Sequence, residues 1–195
     1  MGKELVFNHK LNTERIMATK NKINDKSPYI WAMLRIGLGL ILLWAFLDKL
    51  FGWGLSTCRD AITSVVKSGC ADAYVQGGSP TTGFLKFGTK GPLADFYQGL
   101  AGSTWVDLLF MAGLLGIGLG LILGIGIKLS AITGSILMLM MWSAALWPEH
   151  HPFMDDHLMY ILVLAGVYYS NSNQVWGLRG WWLKRSIVKN MPILE

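Results

Sequence analysis

Charged residues are scarce in this chain, and their scarcity narrows the class of protein to which it belongs. Lysine, arginine, aspartate and glutamate make up 15% of its 195 residues, whereas a soluble globular domain has about 25%. Hydrophobic residues make up 52%, and the mean hydropathy is +0.41. This composition excludes a disordered chain, a coiled coil and a conventional cytosolic enzyme. It favours a single domain surrounded by lipid.

Three apolar segments separate a polar head from a basic tail. The first follows Pro28, the second runs from Trp105 to Trp147, and the third ends before Ser170. Because a helix needs about 20 residues to cross the hydrocarbon layer, the second segment predicts two spans, and the third reaches that length if its helix begins near Pro152. The sequence thus predicts an all-α fold, a four-helix transmembrane bundle. Its predicted regions are a head over residues 1–28, spans at about 29–50, 105–126, 129–147 and 152–170, an outer loop over 51–104, and a tail over 171–195.

The positions of the charged residues predict the orientation of these spans. With four spans, both termini lie on one side, which has twelve basic and four acidic residues, whereas the other side has five basic and eight acidic residues. Cytoplasmic segments carry an excess of lysine and arginine. We therefore expect a multi-pass protein of the plasma membrane with both termini in the cytoplasm. The net charge of +5 is then a topology signal, and nucleic acid is not an expected partner.

Cysteine is also scarce, and both cysteines lie in the predicted outer loop. They are Cys58 and Cys70. An oxidising compartment outside the cell permits a disulfide bond between them. We predict this bond, closed around a short helix at about residues 60–68. Two free thiols in a reducing compartment are the alternative.

Two patterns of small and apolar residues concern helix packing. After Pro92, four apolar residues at helical spacing predict a short amphipathic helix at the outer interface. The second span has three glycines at intervals of four, a spacing that lets helices approach closely. The apolar residues are Leu93, Phe96, Tyr97 and Leu100, and the glycines are Gly116, Gly120 and Gly124.

Ionisable residues near both ends of the first span are candidates for a site. Arg35 and the Asp48-Lys49 pair are 13 residues apart, about 20 Å along a helix. Ionisable groups within a membrane usually face the bundle interior and mark a site. Alternatively, Arg35 extends to the cytoplasmic headgroups while the pair reaches the outer interface.

A cluster of acidic and histidine residues precedes the last span. Asp155, Asp156 and His157 lie in the first turns of the predicted helix, where its dipole favours carboxylates. The functional alternative is a proton-handling or quinone-facing cluster, because histidine titrates near neutral pH. A metal site that adds His150 and His151 matches no standard ligand spacing, and we predict none.

Several segments between residues 31 and 183 together resemble the sequence pattern of one family of membrane proteins. They read LRIGLGLILLWAFLDKLFGWG, GGSPTTGFL, GPLADFY, LFMAGLLGIGLGLILGIGIKLSA and HPFMDDHLMYILVL. The chain thereby resembles the DoxX/DoxD family of small four-helix membrane proteins, and its GGSPT and PFMDDH segments are the most specific. His150 and His151 stand where asparagines are common in that family, and the cysteine pair is not part of its pattern.

The resemblance implies a membrane-bound, quinone-linked redox role. DoxD-like members include the small subunit of an archaeal thiosulfate:quinone oxidoreductase, which works with a second, separate subunit. A non-catalytic membrane module that anchors or assembles redox partners is the alternative. The expected partners are the lipid bilayer, a second membrane or soluble redox subunit, and another copy of the chain.

If the chain is catalytic, the candidate residues divide into two groups. We expect Asp155, Asp156 and His157 to exchange protons with a non-covalently bound quinone. The sequence indicates neither a metal nor a flavin, so the quinone would carry the electrons. The residues expected to bind an anionic substrate are Arg35, Lys49, Arg59 and Lys90.

Overall fold

The computed structural model describes residues 26–54, 56–60, 62–170 and 175–195. Within these residues the chain is helical and has no strand, apart from two isolated β-bridges that join Arg59 to Val66 and Lys90 to Ala145. Residues 1–25 of the predicted polar head lie outside the described residues. The all-α prediction is confirmed.

Seven α-helices make up this part of the chain. The four longest are α1 (Ser27–Phe51), α3 (Thr104–Leu123), α4 (Ile127–Ala144) and α5 (Asp156–Tyr169). The shorter ones are α2 (Ala94–Gly99), α6 (Arg179–Trp182) and α7 (Ser186–Asn190). Short 3₁₀ or π turns occupy Tyr74–Gln76, Phe84–Gly88, Gly91–Leu93 and Pro192–Leu194.

Three of the long helices, α1, α3 and α4, are long and apolar enough to cross a membrane. They correspond to the first three predicted spans and indicate a membrane protein. The fourth long helix, α5, has 14 residues and a length of about 21 Å, which is less than the hydrocarbon thickness of about 30 Å.

Helix α5 begins four residues later than the predicted span because local hydrogen bonds stop it. The side chain of Asp155 accepts a hydrogen bond from the backbone N–H of Leu158, which caps the first turn. Upstream, Nδ1 of His151 accepts hydrogen bonds from the backbone N–H groups of Phe153 and Met154, at 3.1 and 2.9 Å. These bonds fix a turn at residues 151–154, where the sequence predicted helix.

The four long helices form an up-and-down bundle in which each packs against two others. Helix α1 packs against α3 and α5, and α4 packs against the same two helices. We call the end where α1 and α4 finish the loop end, and the opposite end the tail end. The buried core consists of Leu38, Leu42, Leu114, Ile117, Leu121, Ile127, Ala131, Met138, Leu164 and Val167.

The outward faces of the bundle are as apolar as its core. Leu40 on α1, Leu109 on α3 and Leu162 on α5 are each more than half exposed. A soluble protein rarely leaves such continuous apolar surface in water. The exposed leucines therefore agree with a lipid environment for the bundle.

Helices α1 and α3 approach each other closely at Gly39 and Gly118. A Cβ atom at Gly39 would lie 2.8 Å from Ile122 Cγ1 and 3.0 Å from the carbonyl oxygen of Gly118. A Cβ atom at Gly118 would lie 3.0 Å from the backbone nitrogen of Leu43. Of the glycines predicted to mediate packing, Gly120 lies against Ser130 of α4 and Gly124 against the side chain of Arg35, whereas Gly116 faces open space, so the prediction is confirmed in part.

The long loop between α1 and α3 packs over the loop end of the bundle. It contains the predicted disulfide, in which the Cα atoms of Cys58 and Cys70 are 5.6 Å apart. The residues between the cysteines form a tight turn at Asp60 closed by the bridge between Arg59 and Val66, so the prediction of a helix there was wrong. The predicted amphipathic helix after Pro92 is present as α2.

The tail folds back onto the tail end of the bundle. The backbone N–H of Leu178 donates to the carbonyl of Leu123 at 2.8 Å, and that of Lys128 donates to the carbonyl of Glu195 at 3.2 Å. Within the tail, Nε1 of Trp182 donates to the carbonyl of Leu194 at 2.6 Å. The tail is therefore packed against the turn between α3 and α4.

Candidate functional site

A cavity of about 840 Å³ opens at the loop end of the bundle, between the long helices and the loop that covers them. Volumes of this order accommodate small organic ligands, which usually bind between apolar walls with a few polar groups. The cavity has an apolar interior and a polar mouth. Its interior is lined by Ile41, Leu42, Ala45, Phe110, Leu114, Met138 and Met141, and its mouth by Lys49, Ser56, Cys58, Arg59, Asp72 and His157.

One side of the mouth is built around Asp48, the fully buried acidic residue near the end of α1. Its Oδ2 accepts hydrogen bonds from the backbone N–H and hydroxyl of Ser56 and from the N–H of Thr57, each at 3.0 Å. The next residue, Lys49, lines the cavity and donates from Nζ to the hydroxyl of Ser56 at 3.2 Å. Asp48 therefore fixes the loop that carries the cavity residues Thr57 and Arg59.

A second buried carboxylate, Asp107 in the first turn of α3, anchors the cover of the cavity. Its Oδ1 accepts hydrogen bonds from the hydroxyls of Ser79 and Thr81, at 2.9 and 2.5 Å, and from the backbone N–H of Thr81 at 3.3 Å. Residues 79–85 line the cavity. The GGSPTT segment is thus held against the start of α3, which gives this motif a structural role.

Helix α2 closes another side of the cavity through a tyrosine. Tyr97 is buried, and its hydroxyl lies 2.6 Å from the hydroxyl of Ser143 near the end of α4. The backbone N–H of Lys90, just before α2, donates to the carbonyl of Ala144 at 2.9 Å. Loop and bundle are therefore joined on two sides of the cavity, by Asp107 and by α2.

The predicted histidine lies at the mouth, next to a predicted carboxylate. Nδ1 of His157 is 2.6 Å from Oδ2 of Asp155, and both side chains are about four-fifths buried. Within the described part of the chain, Nε2 of His157 has no hydrogen-bond partner. A carboxylate at Nδ1 orients the ring and leaves Nε2 as the nitrogen that meets a bound molecule.

Four predicted residues do not line the cavity: Asp155, which contacts His157, and Asp156, Lys90 and Arg35. Asp156 is exposed at the start of α5 and does not line it. Lys90 pairs with Glu149 at 2.6 Å on the surface, where both side chains are more than half exposed. The hydrogen bond from Lys90, its positive charge and the nearby charge of His150 lower the pKa of Glu149. Lys90 therefore ties the loop to the connection between α4 and α5, whereas Lys49 and Arg59 supply positive charge at the cavity.

Arg35 lies at the tail end of the bundle, far along α1 from the mouth. It is fully buried, and its guanidinium donates hydrogen bonds to four backbone carbonyl oxygens. This arrangement places a positive charge at the C-terminal end of α3, where the helix dipole favours it, and joins that end to the tail. The four acceptors are Leu121, Ile122, Val175 and Trp176, the last three at 3.1, 3.1 and 3.2 Å.

No arrangement of metal ligands occurs among the residues that the structure describes. No group of three histidine, cysteine, aspartate or glutamate side chains there is placed to hold a metal ion. In the cluster considered for such a site, Nδ1 of His151 is engaged with backbone N–H groups and Nδ1 of His157 with Asp155.

The cavity thus combines an apolar interior, a histidine oriented by a carboxylate, and two cationic side chains. Comparison with protein-family models, curated proteins and solved structures found no match to the chain. The chemistry of the cavity therefore has to follow from its own residues. Its lining combines apolar walls with a few polar and cationic groups.

The structure also gives two aspartates roles that the sequence did not predict. Asp107 interrupts the apolar run WVDLL, and Asp48 precedes a residue that was singled out as a cation. A carboxylate inside an apolar run indicates a buried hydrogen-bond acceptor, since burying it without partners would cost several kcal/mol. That signal is present in the sequence, but the partners lie eight to 28 residues away along the chain.

Proposed function

We propose that the chain is a DoxX/DoxD-like subunit of a quinone-linked redox complex, similar to thiosulfate:quinone oxidoreductase. In this proposal it lies in the plasma membrane with four spans and both termini in the cytoplasm, and α5 with the segment before it forms the fourth span. Quinone is the electron-accepting substrate, and a second membrane or soluble subunit completes the complex. The resemblance of the GGSPT and PFMDDH segments to that family supports this proposal.

The observation that carries the proposal is the composition of the cavity. Its interior is apolar, as a quinone ring and the start of an isoprenoid tail require, and His157 lies at its polar end. Reducing a quinone consumes two electrons and two protons, so a proton donor must lie near its oxygens. His157, oriented by Asp155, is suited to deliver such a proton through Nε2.

The two cations at the mouth support an anionic electron donor. Lys49 and Arg59 line the cavity against one acidic residue, Asp72. Positive charge at a low-dielectric opening raises the local concentration of an anion. Thiosulfate is such an anion, and we expect it to approach the mouth from the loop side.

The proposal is tested by isolating the protein in mild detergent, extracting its lipids and analysing them for quinone. Thiosulfate-dependent reduction of a short-chain quinone is then followed, with candidate partner subunits added. We expect His157→Gln to lower the rate about 100-fold. Asp155→Asn preserves the helix cap, since asparagine caps as well as aspartate, and is expected to lower the rate less.

A matched control for these variants is His150→Gln, which alters an exposed histidine outside the cavity. We expect it to keep the wild-type rate. If neither quinone nor activity is found with any partner, the catalytic proposal is wrong. Recovery of a soluble redox partner from native membranes in that case would identify the chain as a non-catalytic anchoring module.

A further inference from the structure

The disulfide bond lies at the wall of the cavity. Cys58 lines the cavity, and Cys70 does not. Both residues are partly exposed. Of the two bonded cysteines, Cys58 is therefore the one that lies at the proposed quinone site.

The surroundings of Cys58 favour its thiolate form. Lys49 and Arg59 line the cavity together with Cys58, and cationic neighbours stabilise a thiolate. The backbone N–H of Asp72 donates to the sulfur of Cys70 at 3.4 Å, whereas the Asp72 carboxylate lies 3.8 Å from the same sulfur and opposes a negative charge there. Because a thiol of lower pKa leaves a disulfide faster, attack on Cys70 with release of Cys58 is the favoured direction.

The backbone at Cys58 adds an independent observation. Its φ angle is +65°, in the left-handed region that residues other than glycine seldom adopt. Such conformations concentrate at functional sites, where the surrounding structure holds them in place. Here the strained residue is the cysteine that contacts the cavity.

We propose that the Cys58–Cys70 disulfide is redox-active and passes electrons from an external dithiol to the quinone in the cavity. This inference rests on the proposed quinone site and adds a donor class, thiols, to it. One thiolate of the donor attacks Cys70, so the Cys58–Cys70 bond breaks and Cys58 leaves as a thiolate beside Lys49 and Arg59. The second donor thiol attacks the mixed disulfide, which releases the oxidised donor and leaves both cysteines reduced.

The return half-reaction restores the disulfide. The two cysteines give two electrons and two protons to the quinone, which becomes quinol, and the bond between their sulfurs forms again. His157 lines the same cavity and is placed to relay one of these protons. The overall reaction therefore converts one dithiol and one quinone into one disulfide and one quinol, with no other reactant.

The experiment uses the purified full-length chain, dithiothreitol and a short-chain quinone without oxygen. We expect quinol to form in equal amount to oxidised dithiothreitol, at a rate well above the reaction without protein. The Cys58→Ser, Cys70→Ser variant is expected to fall to the rate of that protein-free reaction. A reduced Cys-Xaa-Xaa-Cys peptide in place of dithiothreitol shows whether small or peptide dithiols react faster.

A second measurement needs the wild-type chain alone, so it does not depend on whether the double variant folds. The disulfide is reduced, the reductant is removed, and quinone is added before free thiols are trapped with a maleimide. The proposal requires that two thiols disappear for each quinone reduced. Quinone binding, measured separately by quenching of tryptophan fluorescence, distinguishes the two proposals.

If quinone binds and both thiols persist, the disulfide is structural and this inference is wrong, while the proposed quinone site stands. A double variant that oxidises dithiothreitol as fast as the wild type would also overturn it. If no quinone binds, the proposed function fails and this inference fails with it.

Discussion

Replacing Arg35 with methionine separates a structural role for this residue from the substrate-binding role that the sequence predicted. The guanidinium contacts four backbone carbonyls, two at the end of α3 and two in the tail. Hydrogen bonds to a charged group contribute about 1.5–3 kcal/mol each, and burying the charge offsets several kcal/mol of their sum. Methionine fills a similar volume but donates nothing. We expect the free energy of unfolding to fall by about 3–5 kcal/mol.

Thermal unfolding in detergent, followed by tryptophan fluorescence, measures this loss. For a chain of this size a loss of 1 kcal/mol in the free energy of unfolding lowers the unfolding temperature by about 2–4 °C. The midpoint of thermal unfolding should therefore fall by about 10 °C. Limited proteolysis should cut the tail faster, because Arg35 no longer holds it. Lys184→Met is the matched control, since it removes an exposed positive charge of the tail, and its midpoint should not change.

The reasoning about Arg35 is refuted by one specific result. If Arg35→Met unfolds at the wild-type temperature and instead raises the KM for thiosulfate, the residue binds substrate as the sequence predicted. A lower midpoint of thermal unfolding together with an unchanged KM for thiosulfate supports the structural role of Arg35.

Three further predictions concern packing, the cavity cover and pH. Gly39→Ala should cost about 1–3 kcal/mol in thermal unfolding because its Cβ meets α3, whereas Gly37→Ala, which faces open space in the same helix, should stabilise by up to about 1 kcal/mol. Asp107→Ala should cost about 1–3 kcal/mol by leaving buried donors unpaired, and should speed hydrogen exchange in the cover, with Asp107→Asn less affected. Lys90 lowers the pKa of Glu149. The ion pair between the two residues is therefore fully formed above the ordinary pKa of glutamate, and it is lost as the pH falls through the lowered pKa of Glu149. Hydrogen exchange near Lys90 should therefore rise below about pH 4, and Glu149→Gln should remove that pH dependence.

The helices could be predicted because hydrophobic length is a local property of the sequence. The segments after Pro28 and Trp105 contain enough apolar residues to cross a bilayer, and α1, α3 and α4 form there. The cysteine pair could likewise be predicted, since both members fall in one short stretch of one loop. The start of the last helix was less predictable, because the backbone N–H of Met154 donates to the side chain of His151 and turns the chain before Asp155 caps the helix.

The contacts between helices could not be predicted, since they depend on how each helix is rotated. Glycines at intervals of four predicted the contacts at Gly120 and Gly124 but not the open position of Gly116, and the approach of α1 to α3 uses Gly39 and Gly118. Arg35 illustrates the same limit. Its position in an apolar run indicated an unusual role, but its carbonyl partners are 86 to 141 residues away along the chain.

The candidate site was only partly predictable for a similar reason. The residue types of Lys49, Arg59 and His157 indicated charge and proton transfer, and the fold brings these three to one cavity. Lys90 has the same residue type as Lys49, but its side chain extends across the surface to Glu149. The local sequence places Lys49 at the end of a span and Lys90 in the loop, but the contact of Lys90 with Glu149 depends on the path of that loop.

The most direct test of the central claim, that the cavity binds quinone, is a quinone titration of two matched variants. Ala45→Phe fills the apolar interior of the cavity, whereas Ala112→Phe adds the same side chain to an exposed position on α3. Binding of a short-chain quinone is measured by quenching of tryptophan fluorescence, with thermal unfolding to verify that both variants fold. We predict that Ala45→Phe loses binding and Ala112→Phe binds as the wild type does. Equal affinity in all three proteins would contradict the assignment of the cavity as the quinone site.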